Sequence, residues 1–361
     1  MSSNDIEMVS VTKSYGGTTV VNGVNLAIPA GEFVSILGPS GCGKTTTLSM
    51  IAGFAQPSVG DIRIRGKSQK GVPPEKRGIG MVFQNYALFP HMTVEENVGF
   101  GLRMRRRPTS EIRDAVANAL RRVHLEGLGH RYPKELSGGQ QQRAALARAI
   151  APEPSLLLLD EPLSNLDLKL REAMRVELKD IQEQLAMTFV YVTHDQDEAM
   201  AMSDRIVVMQ RGLIAQTGRP SDIYERPNSS FVADFIGKSN LLPIRQLRQG
   251  NNAVVVCLAG DLTLTARKTE GIAAEDARYC CMRPEAVRLS LTADDSAVSA
   301  NRLQGRLTRI VNLGAYFDCF VTMNDGTVLK SLVRSTRLPG LAVNMPVFLS
   351  IEPDAIRLLS H

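Results

Sequence analysis

Apolar residues recur along this chain in two rhythms, and the change between them falls near residue 239. In the first part, the runs "FVSIL" (33–37), "SLLLLD" (155–160), "TFVYVT" (188–193) and "RIVVM" (205–209) show little polar alternation. Such runs suit strands covered by helices on both faces. Between them, apolar positions recur at helical spacing: Ile112, Val116, Leu120 and Val123 after Pro108 and Ser110, then Leu170, Met174, Leu178, Ile181 and Leu185 after Asp167. Alternating strands and helices predict an α/β domain over residues 1–239. From residue 240 the helical period disappears. "AVVVCLAGDLTLTA" and "FDCFVTMNDGTVLKSLV" read as hairpins turning at Gly260-Asp261 and Asp325-Gly326. A weak internal repeat, "RPEAVRLS" (283–290) against "EPDAIRLLS" (352–360), runs through this part, and residues 240–361 are expected to form a small all-β, OB-like barrel.

Length and composition narrow the class. A chain of 361 residues has room for two domains and a sizeable core. Its 42 Lys and Arg against 37 Asp and Glu give a net charge of +5. That mild, dispersed excess fits an anionic ligand better than a nucleic-acid surface. The run "RMRRRP" (103–108) reads as a solvated helix end. No apolar run approaches the roughly 18–20 residues that span a bilayer. "MSSNDIEM" lacks the basic-then-apolar pattern of a secretion signal, so export is not expected. Five cysteines without CxxC spacing indicate neither a disulfide framework nor a zinc site, and a reducing compartment is expected.

The chemistry concentrates in three places. "GPSGCGKTT" (38–46) completes GxxxxGK[ST] between a strand and a helix. In that setting Gly38, Ser40, Gly41, Cys42, Gly43 and Thr46 frame a loop whose N–H groups converge on phosphate oxygens, Lys44 reaches the outer phosphates, and Thr45 ligands Mg²⁺. A thiol at that helix start, Cys42, is expected to have a lowered pKa and raised reactivity. "SLLLLDEP" ends a buried strand with two carboxylates: Asp160 suits the magnesium shell, and Glu161 is placed to polarise an attacking water. In "ELSGGQQQRAALARA", Ser137, Gly138, Gly139 and Gln140 open a second glycine-started helix. The residues alone leave two readings of it open, an anion site or an ordinary N-cap.

The order "GPSGCGKTT", "FQNYALFP", "LSGGQQQR", "LLLLDEPLSNLD" and "VTHD" resembles the ATP-binding-cassette ATPases over roughly residues 5–237. The resemblance implies a P-loop core with a helical subdomain, binding ATP and Mg²⁺. It also implies a head-to-tail dimer in which Ser137 to Gln140 of one copy close over ATP on the P-loop of the other. On the same basis Gln84 touches magnesium and relays motion, Asp167 lies on the loop crossing the dimer seam, His194 contacts the γ-phosphate, and Tyr15 stacks on adenine. The stretch after Gln84 would receive a transmembrane permease through Tyr86, Leu88 and Phe89. The chain would then sit peripherally on the cytoplasmic face of the inner membrane, meeting a periplasmic solute-binding protein only indirectly.

The tail resembles the regulatory β-barrel fused to importer ATPases for polyamines, ferric iron, phosphonates and sugars. "FVADFIGKSNLL" fits the polyamine branch best, although Lys238 stands where that branch often has an acid. Two rival classes fit less well. A cassette ATPase acting on nucleic acid would need a coiled-coil insertion or a second cassette, and the tail's aromatics (Tyr279, Tyr316, Phe317, Phe320, Phe348) fall mostly inside strand patterns. A P-loop kinase would leave "LSGGQ" and "VTHD" idle.

Overall fold

A computed structural model describes residues 4–250, 253–258, 260, 262–268, 276–292, 301–336 and 340–360. The chain divides into two compact units, Met1–Ser221 and Asp222–His361.

The first unit holds two sheets. An antiparallel one is built from β1 (Asn4–Tyr15), β2 (Thr18–Pro29), β4 (Val59–Ile64) and β5 (Lys67–Ser68), in the order β2-β1-β4-β5. The other runs β10-β9-β3-β8-β7-β6, from β3 (Phe33–Leu37), β6 (Gly80–Val82), β7 (Leu156–Asp160), β8 (Thr188–Thr193), β9 (Arg205–Gln210) and β10 (Leu213–Gly218). All neighbours in it pair in parallel except β9 and β10. Every residue of β3 and β8 is buried, which is why these strands carry no polar alternation. Ile6, Val11, Val21, Val34, Ile36, Leu48 and Val190 share one core with side chains from both sheets and α1 (Lys44–Ala52). A second core gathers Val98 of α2 (Val94–Met104), Val116 and Leu120 of α3 (Thr109–Arg122), Ala144 and Ala145 of α4 (Gly138–Ile150), and Met174 and Leu178 of α5 (Leu168–Leu185). Both periodic segments of the sequence are therefore helices, and α2, α3 and α4 form the expected helical part.

Register decides where chemistry can happen. Leu37 pairs with Thr193, and Asp160 pairs with Val192. The C-terminal ends of β3, β7 and β8 are thus level, and the segments leaving them emerge at one sheet edge, where parallel α/β sheets bind ligands.

Among its described residues the second unit carries α8 (Ser230–Phe235), after α7 (Pro220–Glu225), and eleven strands. Its first strands are β11 (Asn240–Pro243), β12 (Gln246–Gln249), β13 (Ala253–Cys257), β14 (Thr263–Arg267) and β15 (Tyr279–Met282); β12, β13 and β14 form one three-stranded sheet, and β11 and β15 form another with the last strand of the chain. Beyond them lie β16 (Val287–Ser290), β17 (Asn301–Asn312), β18 (Tyr316–Thr322), β19 (Val328–Arg334), β20 (Pro346–Ile351) and β21 (Arg357–Leu359). Five of them make a sheet in the order β16-β20-β17-β18-β19, and the Ser331 hydroxyl on β19 donates to the Val287 carbonyl on β16, so the barrel nearly closes. Ala233 of α8 packs on Cys281 and Leu359, so the helical residues after 221 belong by packing to the β-rich unit.

Both expected hairpins are present as β13/β14 and β18/β19. Gly326 turns the second with φ 87°, where a side chain would be strained. Asp261 of the first turn lies outside the described residues. The two repeat copies each form a short 3₁₀ turn leading into a strand, and they pair reciprocally: β16 with β20, β15 with β21. Lys238 is matched within this unit, its ammonium lying 2.7 Å from the buried Asp318 carboxylate of β18.

Candidate functional site

Three segments meet at the level ends of β3, β7 and β8. The first is the glycine loop. Gly38 and Gly43 are required by close approach: a Cβ at Gly38 would meet the Met209 carbonyl oxygen at 2.4 Å, and one at Gly43 would meet the Val20 carbonyl oxygen at 2.9 Å. Gly43 caps α1 at φ 106°, and no side chain accepts from the free N–H groups there. These donors and the positive end of the helix dipole are left for an anion. Lys44 is buried and donates to the carbonyls of Gly38 (2.8 Å) and Pro39 (3.1 Å).

Cys42 corrects the expectation of a reactive thiol. It is only 3% exposed and packs in the core between the sheets. Burial pushes its pKa up, against the opposing charge of Lys44 and two backbone hydrogen bonds. Cys280 is pushed by burial to about 12 and Cys319 to about 11. Maleimide labelling of the native chain should therefore be confined to the half-exposed Cys257, and peptide mapping should find Cys42 unmodified with or without nucleotide. Rapid labelling of Cys42 would contradict its burial.

The second segment follows β7. Burial raises the pKa of Asp160, and the neighbouring Glu161 carboxylate adds to this; the Thr45 hydroxyl, hydrogen-bonded to Asp160, and the Lys44 charge oppose it. Glu161 holds φ 44°, a left-handed backbone costing on the order of 1–3 kcal/mol for a residue with a side chain. The Glu161 N–H donates to the Val192 carbonyl at 3.0 Å, and the Ser164 hydroxyl donates to the Glu161 carbonyl at 2.8 Å.

The third segment follows β8. His194 Nδ1 lies 3.2 Å from Glu161 Oε2, with the imidazole mostly exposed. The two residues line one small cavity with Ser164, Arg171, Thr193, Asp195 and Glu198. Glu198, buried on α6 (Gln196–Met202), accepts from the hydroxyls of Tyr191 (2.7 Å) and Thr193 (2.6 Å). Asp195 caps α6 by accepting from the N–H groups of Asp197 and Glu198.

Gln84 is exposed, and its carbonyl accepts from Asn165 Nδ2 at 2.9 Å, which links the two loops. Tyr86 and Ala87 are consecutive left-handed residues, at φ 61° and 49°. Arg148 of α4 stabilises them by donating to both carbonyls, and its guanidinium lies over the Phe89 ring at 5.7 Å. Asn97 binds both the N–H and the carbonyl of Phe89. Of the three expected permease contacts, Leu88 and Phe89 are half-buried at the surface, but Tyr86 is only 6% exposed with its hydroxyl enclosed. Tyr86 is therefore a support of the segment in this chain and not a surface contact.

Ser137 caps α4 reciprocally with Gln140: each side chain takes the other's backbone N–H, at 3.3 and 2.9 Å. The space beside Gly138 and Gly139 is closed by Leu166 and Leu170, which a Cβ would meet at 3.1 and 3.0 Å. Within one chain the N-cap reading of Ser137 is thus fulfilled, and both glycines have a packing reason. Asp167 caps α5 by accepting from Leu170 N–H at 3.0 Å. Tyr15 ends β1 half-exposed, with the Lys13 ammonium 4.7 Å above its ring. Sequence pattern did not mark Arg171, Glu198, Ser164, Asn165, Arg148 or Asn97, because their partners lie on other elements.

Residues 21–164 match the family model for ABC transporters, and residues 280–359 match the TOBE domain. Over 355 residues the chain is 50% identical to the spermidine/putrescine import ATP-binding protein PotA of Thermobifida fusca, covering 97% of this chain and 92% of that one. The chain belongs to the ABC transporter ATP-binding proteins. PotA of Nitratidesulfovibrio vulgaris is 48% identical over 337 residues, covering 91% of this chain and 89% of that one. Among solved structures, cbiO1 of Clostridium perfringens, part of the transporter complex cbiONQ, is 33% identical with TM-score 0.58, covering 61% of this chain and 90% of that one. A dimeric post-hydrolysis cassette, MJ0796 with ADP and Pi, is 35% identical with TM-score 0.53, covering 60% of this chain and 98% of that one. This ABC ATPase thus couples ATP hydrolysis to transport through its first unit and carries a TOBE barrel in its second.

Proposed function

We propose that the chain powers uptake of spermidine, putrescine or a closely related solute, working as a homodimer beneath a transmembrane permease at the cytoplasmic face of the membrane. The observation that carries the cargo is identity near one half to polyamine-import ATPases along almost the whole length, barrel included. Among the described residues no helix is long and apolar enough to cross a membrane, which supports attachment through a permease. Leu88 and Phe89, held by Asn97 and Arg148, are the side chains we assign to that contact.

In the site we assign, ATP phosphates lie against the N–H groups of Gly41 to Thr46, with Lys44 turning from its carbonyl partners toward them. Tyr15 offers an exposed ring for adenine. Among the described residues no group of three His, Cys, Asp or Glu side chains could hold a metal alone. That fits Mg²⁺, which keeps waters and is held by few protein oxygens plus substrate phosphates, here Thr45, Asp160 and Gln84. When bound, it would neutralise charge developing on the phosphates. Glu161 orients and deprotonates the attacking water. His194, fixed by Glu161, presents its other ring nitrogen to the γ-phosphate. Ser137 to Gln140 and Asp167 complete the site of a second copy.

The test is ATPase of the chain reconstituted with its own permease and periplasmic receptor. Spermidine or putrescine with receptor should raise turnover about tenfold or more, whereas maltose, ferric iron or a phosphonate should not. Stimulation by one of the latter would replace the cargo.

A further inference from the structure

We propose that Arg171 is a positioning residue that ties the turn carrying Asp167 to the turn carrying His194, so that a second copy arriving at one is felt at the other. This rests on the roles assigned above to Asp167, His194 and Glu161.

Arg171 lies four residues beyond the cap Asp167, on the first turns of α5. One guanidinium nitrogen donates to the carbonyl of Leu166, the residue before Asp167, at 3.1 Å. The other terminal nitrogen is 3.5 Å from Asp195 Oδ2, and Nε lies 3.9 Å from Glu198 Oε1. Asp195 directly follows His194. Glu198 holds the hydroxyl of Thr193, which directly precedes it, and that hydroxyl also accepts from Asp195 N–H at 2.9 Å. Arg171 therefore hydrogen-bonds the Asp167 turn directly, pairs with Asp195 on one side of His194, and reaches Thr193 on the other only through the charge of Glu198.

Other charge near this cluster comes from Arg175, one turn along α5, whose charge opposes the upward push that burial and Glu198 give the Tyr191 hydroxyl. It does not bridge the two turns. Leu166 is the side chain that closes the space beside Gly138, so displacement of that turn also reaches the start of α4. A planar guanidinium spreads its donors over a fixed fork that can span a carbonyl and two carboxylates, whereas an ammonium is a compact point charge without that span. That difference separates a bridge from a simple counter-charge.

The test compares Arg171→Gln and Arg171→Lys with His194→Ala and Glu161→Gln in the assembled transporter. It measures ATP affinity, kcat and the Hill coefficient for ATP. Arg171→Gln should leave ATP affinity within about twofold, lower kcat about tenfold or more, and bring the Hill coefficient from between one and two down to about one. Arg171→Lys should recover part of kcat but little of the cooperativity. If Arg171→Gln fails to bind ATP, Arg171→Lys decides by its Hill coefficient. Turnover within about twofold of wild type, or lost turnover with cooperativity intact, would overturn the proposal. Should His194→Ala and Glu161→Gln hydrolyse normally, the assigned site itself fails. If they are impaired and Arg171→Gln is not, only the bridge fails.

Discussion

Glu161→Gln is expected to bind ATP as tightly as the wild-type chain while hydrolysing it about 10²–10⁴-fold more slowly. The glycine loop joins β3 to α1, with Lys44 and Thr45 opening that helix, and none of these proposed phosphate contacts uses Glu161 as a partner for its fold. What the amide loses is the basic oxygen that takes a proton from water and the negative charge facing His194 Nδ1 at 3.2 Å. The backbone contacts that fix residue 161, its N–H on Val192 and its carbonyl on Ser164, do not involve the side chain and persist. The variant should therefore collect as an ATP-bound closed dimer, visible as a doubling of mass by light scattering with MgATP. Single-turnover hydrolysis at the wild-type rate would remove Glu161 from the proposed role.

Features fixed by local sequence were legible beforehand. β3, β7, β8 and β9 follow from continuous apolar runs, α3 and α5 from their periodicity, and the glycine loop from its spacing together with its place between a strand and a helix. The β18/β19 hairpin was marked by Asp325-Gly326. Less legible was whatever depends on packing between distant elements. Cys42 stands at a helix start, a position that favours a thiolate, but the core between the two sheets buries it and reverses the sign. Tyr86 sits in a surface-facing motif yet turns inward, because two left-handed residues redirect the chain there. Gly138 and Gly139 suggest access for phosphate, and the structure adds a second cause in Leu166 and Leu170. Glu198 on α6 and Arg171 on α5 carry no local signal of their own, and only the packing of the two helices brings their charges within 3.9 Å. Spacing on one element predicts a face, and no local pattern encodes which face of another element will meet it.

In the proposed dimer each ATP site is shared between two chains, which differently tagged mixed dimers can resolve. Lys44→Ala damages the phosphate loop. Gly138→Asp introduces an acid at a helix start, which tolerates it, but sets bulk and negative charge where phosphate would approach. Each change damages one half of a site, and losing oriented donors at a developing charge costs about 10²–10³ in rate, roughly 3–4 kcal/mol. With both changes on one chain and a wild-type partner, every shared site contains one damaged half. With one change on each chain, both defects fall in the same site and the other stays whole. The measurement is occluded ATP per dimer in the two arrangements. Dimers with one change per chain should occlude clearly more ATP. More occlusion with both changes on one chain would mean that each chain completes its own site, leaving Ser137 to Gln140 as no more than the cap of α4.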